Sequence, residues 1–252
     1  MKTTTDDFAD IRAGIDTIMH RPGGVAGPAF KELVGALNRY GFTIYRHKFT
    51  ARYIRGLGFT SNTLIDVGVN RGTPEFWDAF PGKKIVLVEP LSELLELVID
   101  ENPGYEFVPL AAGAGSENTE MSINVMLVTG HSTFLKRQDQ ADSLRTVPVV
   151  RLDEFLTAGE FAPPFGLKID TEGFEVEVLK GCSGIMKDVE FVIAECSIKR
   201  MFENGYKFSD LIEAMAGYGF QLMDILSSSG GPPNNLDCVF VKEADERLTF
   251  GV

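Results

Sequence analysis

Residues 63–72 constrain the fold of this chain more than any other stretch. Residues 63–67 form a short, mostly apolar run that is typical of a strand buried on both faces of a parallel sheet. Gly68, Asn70 and Gly72 then allow a tight loop, because glycine has no Cβ atom and asparagine tolerates positive φ. A threonine and a proline, residue types that begin helices, follow directly. This order of elements predicts a cradle for a polar small molecule at the carboxyl edge of a sheet.

Two carboxylates indicate the charge of that ligand. Asp66 lies two residues before the first glycine, where it would repel a pyrophosphate and attract a positively charged group. Glu89 ends the next predicted strand, a position from which a carboxylate reaches both hydroxyls of a ribose. We therefore expect a nucleoside that carries a positive charge. The predicted ligand contacts are Asp66, Gly68, Asn70, Gly72, Glu89, Pro90 and, among the small residues after the third strand, Ala112.

The composition argues against a nucleic-acid partner. The 252-residue chain has 24 basic and 36 acidic residues and a net charge of −12, whereas nucleic-acid binding relies on basic residues that neutralise phosphates. The three cysteines are widely spaced and form no CxxC pair, which favours a reducing compartment. The sequence shows neither a signal peptide nor an apolar run of membrane-spanning length. We expect a cytoplasmic protein that binds neither nucleic acid nor membrane.

Strand and helix patterns alternate through residues 61–252, after a helical extension predicted for residues 1–60. Such alternation predicts an α/β fold with a mainly parallel, doubly wound sheet and right-handed crossovers. Helices are expected at residues 6–20 and 29–40 of the extension. The predicted strands span 63–67, 84–88, 105–110, 120–126, 146–150, 165–169, 189–194, 220–225 and 236–242.

A second group of polar residues surrounds the end of the predicted strand 165–169. Lys168 lies inside this strand, Asp170 and Glu172 follow it, and Glu195 ends the neighbouring strand. Because the carboxyl ends of parallel strands meet at one edge of a sheet, these acids should converge on one crevice. Close carboxylates raise one another's pKa and a nearby lysine lowers it, so their pKa values should separate. Alternatively, Glu172 only stabilises the N-terminus of the next helix.

Several of these stretches together resemble the FkbM methyltransferase family. The resemblance rests on LKIDTEGFE (167–175) with LKG (179–181), on DVGVNRG (66–72), on Glu89-Pro90 and on LDEFL (152–156), in the order of the family. It implies a Rossmann-like class I methyltransferase fold with an antiparallel last strand. It also implies S-adenosyl-L-methionine as the cofactor and O-methylation of a hydroxyl on a sugar or small natural product.

The predicted acids suit that chemistry. Methyl transfer requires donor and acceptor in line and water excluded, and a hydroxyl acceptor must also lose a proton to a base. The catalytic candidates are Asp170, Glu172, Glu195, Lys168 and, in the loop 129–133, His131. Mg²⁺ held by Asp170 and Glu195 is a weaker alternative, since hard oxygen ligands suit that ion, and we assign no metal ligand.

Two other functions stay open at this point. A nicotinamide-dependent oxidoreductase would share Glu89 and the sheet, but Thr73 stands where the dinucleotide fingerprint requires a third glycine. A non-catalytic nucleoside-binding module would keep the fold without needing the acids after strand 165–169. We further expect a homo-oligomer, substrate or dimer contacts in residues 1–60, and a mobile lid over the acceptor side formed by the polar loop 227–235.

Overall fold

The computed structural model describes residues 28–41, 47–126, 132–135, 143–200, 202–203, 205–228 and 234–249. Contacts divide the chain into two units, Met1–Arg46 and His47–Val252. In the first unit the described residues contain helix α1 (Pro28–Arg39), close to its predicted range. The helix predicted at residues 6–20 lies outside the described residues.

The second unit alternates strands and helices, as its sequence predicts. The strands are β1 (Thr63–Val67), β2 (Lys84–Val88), β3 (Glu106–Leu110), β4 (Gly113–Ala114), β5 (Thr119–Val125), β6 (Ser143–Val150), β7 (Phe165–Ile169), β8 (Val189–Ser197), β9 (Phe220–Ser228) and β10 (Asn235–Lys242). The helices are α2 (Ala51–Gly56), α3 (Pro74–Trp77), α4 (Ser92–Glu101), α5 (Leu152–Ala158), α6 (Glu175–Gly181) and α7 (Phe208–Gly217). Short 3₁₀ turns occur at Met186–Asp188 and Glu246–Leu248.

Seven strands form the central sheet, in the order β3-β2-β1-β7-β8-β10-β9. Neighbouring strands pair in parallel from β3 to β8, whereas β10 runs antiparallel to both β8 and β9. This confirms the predicted Rossmann-like sheet with an antiparallel last strand. The chain order changes direction at β1, which lies between β2 and β7, and such a switch point opens a crevice at the carboxyl ends of the strands.

Helices cover both faces of this sheet, because its central strands are apolar on both faces. All five residues of β1 are buried. Leu64 belongs to one hydrophobic core together with Trp77 and Phe191, and Ile65 belongs to the core on the other face together with Leu167. Burying each such side chain stabilises the fold by about 1.5–3 kcal/mol.

A second sheet of three strands, in the order β4-β6-β5, packs beside the first. Strands β5 and β6 confirm the two extra strands predicted from the sequence, although β6 begins earlier than expected. Strand β4 was not predicted, because two small residues carry no periodic pattern. It pairs in parallel with β6, while β5 pairs antiparallel with β6.

Residues 47–60 pack within the second unit. The Thr50 hydroxyl accepts a hydrogen bond from Tyr53 N at 3.3 Å and caps α2, and Ile54 of that helix is fully buried in the core that contains Trp77. The division predicted at residue 60 therefore lies inside this unit. Within the described ranges, no helix is both long and apolar enough to cross a membrane.

Candidate active site

A cleft opens at the carboxyl ends of β1, β2 and β7. One wall is formed by the small sheet and residues 132–134, and the other by the turn that follows β7. Of the residues predicted from the sequence, Gly68, Asn70, Glu89, Pro90, Ala112, Asp170 and Glu172 line the cleft.

The glycine loop after β1 is pressed against the turn after β7. Gly68 has φ +78°, and a Cβ atom there would lie 1.7 Å from the carbonyl oxygen of Asp170. Any side chain at this position would therefore push the two loops apart. Asn70 also adopts a left-handed conformation, with φ 46°. Gly72 does not line the cleft; a Cβ atom on it would lie 2.6 Å from the ring of Trp77, so this glycine makes room for the tryptophan.

Glu89 lies at the end of β2 with only 6% of its surface exposed. Its Oε2 accepts a hydrogen bond from Asn70 N at 3.0 Å and its Oε1 accepts one from Leu91 N at 3.1 Å. Burial raises the pKa of Glu89, and these two bonds act in the opposite direction. Each carboxylate oxygen has two lone pairs, so Glu89 can still accept hydrogen bonds from a ligand in the cleft.

Asp66 does not reach the cleft, which corrects its predicted role as a ligand contact. Successive residues of a strand face opposite sides; Val67 lines the cleft, whereas Asp66 is fully buried on the other face. Its Oδ2 accepts a hydrogen bond from Trp77 Nε1 at 2.8 Å, and its Oδ1 lies 3.4 Å from Lys168 Nζ. The positive partner of Asp66 is therefore a lysine of the protein.

Lys168 is buried beneath the turn and does not line the cleft. Its Nζ lies 3.4 Å from Asp66 Oδ1 and 3.4 Å from Asp170 Oδ2. Burial lowers the pKa of Lys168, but the two carboxylates more than offset this effect, so the pKa is raised and the side chain stays charged. The lysine thus supports Asp170 from below and has no direct access to a substrate.

The turn after β7 depends on Glu175, to which the sequence interpretation gave no role. Glu172 and Gly173 both have positive φ, 51° and 96°. Glu175, with 1% of its surface exposed, accepts hydrogen bonds from Thr171 N at 2.9 Å and Gly173 N at 3.1 Å. One buried carboxylate therefore fixes the turn that brings Asp170 and Glu172 to the cleft. Its place in the family-like stretch LKIDTEGFE was the signal for this role.

Glu195 lies near Asp170 and Glu172 but does not line the cleft itself. On the sheet it is the register partner of Asp237. Burial raises the pKa of Glu195 to about 9, with further increases from Asp170 and Glu172 and an opposing hydrogen bond from Asn235. The charges of Asp170 and Glu172 thus act on Glu195, and Glu195 keeps its proton at neutral pH. Within the described ranges, no three His, Cys, Asp or Glu side chains are grouped to hold a metal ion.

The wall opposite the turn includes residues that the sequence interpretation missed. Thr133 and Phe134 both line the cleft, and Phe134 lies so close to Gly113 that a Cβ atom there would be 2.5 Å from the ring. The small, polar residues of the loop 129–133 could have indicated a contribution to the site, but only His131 of this loop was predicted as a site residue. His131 lies outside the described residues, and its catalytic role stays a prediction.

The predicted lid lies partly outside the described residues, since 229–233 are not among them. The flanking residues are described: Ser228 ends β9, and Asn235 begins β10. Asn235 is the register partner of Ser197 at the carboxyl end of β8. The loop therefore starts and ends at the edge of the sheet that carries the cleft, and its role as a lid stays a prediction.

One family model matches this chain, and a named methyltransferase is similar to it. The sequence model of the Methyltransferase FkbM domain matches residues 66–222, more than half of the chain. Hexuronic acid methyltransferase AglP of Haloferax volcanii is 25% identical over 193 residues, which cover 71% of this chain and 79% of that protein.

One solved structure shows the same fold. The crystal structure of Methyltransferase FkbM from Methylobacillus flagellatus KT is similar with a TM-score of 0.53 at 14% identity; the match covers 92% of this chain and 60% of that one, so this chain spans less than two thirds of its length. Magnesium protoporphyrin IX methyltransferase (ChlM) from Synechocystis PCC 6803, solved with bound SAM, has a TM-score of 0.47 at 12% identity, with 96% of this chain and 100% of that chain covered.

Proposed function

Because this chain belongs to the FkbM methyltransferase family and is an S-adenosylmethionine-dependent methyltransferase, we propose that it methylates a hydroxyl of a sugar or a sugar-like natural product. The observation that carries this proposal is that one cleft joins Glu89 on one side to Asp170 and Glu172 on the other. Family membership does not support the two alternatives considered for the sequence, a nicotinamide-dependent oxidoreductase and a non-catalytic nucleoside-binding module.

The residues of the cleft fit S-adenosylmethionine. Glu89 presents a buried carboxylate at the end of β2, where ribose hydroxyls can donate to it. Ala112, Ile123 and Phe134 offer an apolar surface for a flat base. When bound, S-adenosylmethionine supplies a methyl group on a positively charged sulfur, and an acidic cleft favours such a cation.

Asp170 is the residue we assign as the base. Its side chain is 35% exposed, it lines the cleft, and Lys168 Nζ lies 3.4 Å from its Oδ2. It can therefore both meet an acceptor and take a proton from a hydroxyl. Glu195 keeps its own proton at neutral pH, because its pKa is about 9, so it does not compete for that role. Glu172, which also lines the cleft, is assigned to hold the acceptor.

The name of one relative supports a sugar as the acceptor. Hexuronic acid methyltransferase AglP is a methyltransferase named for a sugar acid, and the match to it covers 71% of this chain. Carboxylates such as Glu172 accept hydrogen bonds from hydroxyl groups, of which a sugar has several. A hydroxyl, unlike a carboxylate, needs a base to remove its proton, and Asp170 is placed to do so.

Identification of the methylated product tests this function. The protein is incubated with S-adenosylmethionine that carries an isotopically labelled methyl group and with a panel of hexoses, hexuronic acids and glycosylated natural products. We expect mass spectrometry to find the label on a hydroxyl oxygen of a sugar. Label found only on a carboxylate, on a nitrogen or on no member of the panel would contradict the proposal.

The remaining sequence-based predictions about partners become proposals here. We propose a small-molecule acceptor and no nucleic-acid partner, on the basis of the net charge of −12. A homo-oligomer and a cytoplasmic location are retained as proposals on the sequence alone.

A further inference from the structure

The side-chain hydroxyl of Thr133 connects the two walls of the cleft. Thr133 is 1% exposed and lines the cleft. Its Oγ1 donates a hydrogen bond to the carbonyl oxygen of Glu172 at 2.8 Å and accepts one from Leu135 N at 3.1 Å. The hydroxyl therefore uses its one donor and also serves as an acceptor, which leaves little freedom for it to rotate.

The backbone around Thr133 is fixed to the small sheet. Asn124 N donates to Thr133 O at 2.9 Å, and Thr133 N donates to Asn124 O at 3.1 Å. The side-chain amide of Asn124 donates in addition to Leu135 O at 3.0 Å. Asn124 belongs to β5 of the small sheet, whereas Glu172 follows β7 of the central sheet. The bond from Thr133 to Glu172 thus joins the two sheets across the cleft.

Glu172 has a conformation that needs such support. Its φ of 51° is left-handed, which non-glycine residues seldom adopt unless the surrounding structure fixes them. Thr133 holds the carbonyl of Glu172, and Glu175 holds the next amide, Gly173 N, at 3.1 Å. The peptide group between Glu172 and Gly173 is therefore held at both ends, one end from each wall.

We propose that Thr133 is a positioning residue for methyl transfer: its hydroxyl holds the turn that carries Asp170 and Glu172 in the orientation that the acceptor requires. Thr133 acts through the backbone of Glu172 and takes no part in proton transfer. This inference rests on the proposed function, because it assumes that the acids of the turn meet the acceptor.

Two valine substitutions separate positioning from simple stability. Thr133→Val keeps the shape of the side chain and removes the hydroxyl. Thr63→Val is the matched control, because Thr63 is also 1% exposed and its Oγ1 also donates to a backbone carbonyl, Ala162 O at 3.0 Å, but at the opposite end of β1. Thr133→Val loses two hydrogen bonds of the hydroxyl and Thr63→Val loses one, so both should show a decrease in Tm, the larger one in Thr133→Val. Thr133→Ser keeps the hydroxyl.

Of the two valine variants, only Thr133→Val should have a lower kcat. Because small misplacement of catalytic groups is costly, we expect its kcat to fall by about 10- to 100-fold, with little change in the Kd for S-adenosylmethionine. Thr133→Ser should recover most of the turnover, and Thr63→Val should turn over like the wild type. Equal kcat in Thr133→Val and Thr63→Val would overturn the proposal, as would failure of the serine variant to recover.

Hydrogen–deuterium exchange gives a second readout that needs no acceptor. In Thr133→Val the amides of residues 171–173 should exchange faster than in the wild type, whereas Thr63→Val should leave them unchanged. Unaltered exchange in Thr133→Val would overturn the proposal even if an acceptor is found. If no sugar is methylated by the wild type, the proposed function fails, and the exchange comparison still decides whether Thr133 holds the turn.

Discussion

Glu195 lies within β8, two residues before its last residue Ser197 and opposite Asp237, and the charges of Asp170 and Glu172 both raise its pKa. These carboxyl groups share the same edge of the sheet but differ in their surroundings. Asp170 has Lys168 as a cationic neighbour at 3.4 Å. Glu195 is buried and lies near the negative charges of Asp170 and Glu172, which together raise its pKa to about 9. At the scale of single residues, the surroundings of the carboxyl groups therefore differ, and those of Glu195 favour its protonated form.

The stability of Glu195→Gln should reveal this raised pKa. Because the folded-state pKa of about 9 lies above the ordinary value of 4.5, folding holds a proton on Glu195. This contribution is fully present below about pH 4.5 and is lost as the pH rises towards 9. Glutamine cannot ionise, so the variant should gain stability over the wild type by up to about 3 kcal/mol between pH 4.5 and pH 7. Denaturant unfolding at several pH values measures the difference in unfolding free energy between the variant and the wild type. A difference that does not grow with pH would contradict the prediction.

At the scale of elements, glycines set how closely the parts of the cleft approach one another. Gly181 is the last residue of α6, and a Cβ atom on it would lie 2.0 Å from the carbonyl oxygen of Gly115. Gly115 directly follows β4, whose two residues line the cleft. Helix α6 therefore packs directly on the backbone that supports this wall.

Substitution of the last glycine in two helices tests this contact. Gly181→Ala should destabilise the fold by about 1–3 kcal/mol, because the methyl group forces α6 away from Gly115. Gly217, the last residue of α7, has open space around its Cβ position, and Gly217→Ala should be neutral or stabilising by up to about 1 kcal/mol. Urea unfolding of both variants gives the comparison. Equal stabilities would show that α6 can move without cost.

The sequence predicts the elements of the central sheet well and the direction of individual side chains poorly. The bounds of β1, β2 and β7 agree with their predicted ranges, because each is an apolar run bounded by turn residues. Asp66 was misassigned because the alternation of a strand gives two faces without saying which one carries the ligand. Thr133 was missed because its role depends on a contact with Glu172, which is far away in the chain. Glu175 was missed because its role depends on a local turn that has no periodic sequence pattern.

At the scale of the whole molecule, two sheets and one topological switch create the site. One side of the cleft comes from β1, β2 and the small sheet, and the acids come from the turn after β7. The switch point at β1 and the convergence of strand ends were predictable from the alternation of strands and helices. The order of the strands and the position of the small sheet were not, because the pairing of distant strands is set by tertiary packing.

Turnover and donor affinity of two variants test the central claim that opposite sides of one cleft hold the donor and perform the chemistry. Glu89→Gln removes charge-assisted hydrogen bonds worth about 1.5–3 kcal/mol, so calorimetric titration should show the Kd for S-adenosylmethionine rising by about 10- to 150-fold. At saturating donor its kcat should stay close to that of the wild type.

Asp170→Asn should give the opposite pattern, with an unchanged Kd for S-adenosylmethionine and a kcat lower by about 10²-fold or more. Asp100→Asn, at an exposed position on α4, serves as the control for the same chemical change and should match the wild type in both quantities. The account predicts this separation of donor affinity from turnover. Full turnover in Asp170→Asn, or an unchanged donor Kd in Glu89→Gln, would contradict it.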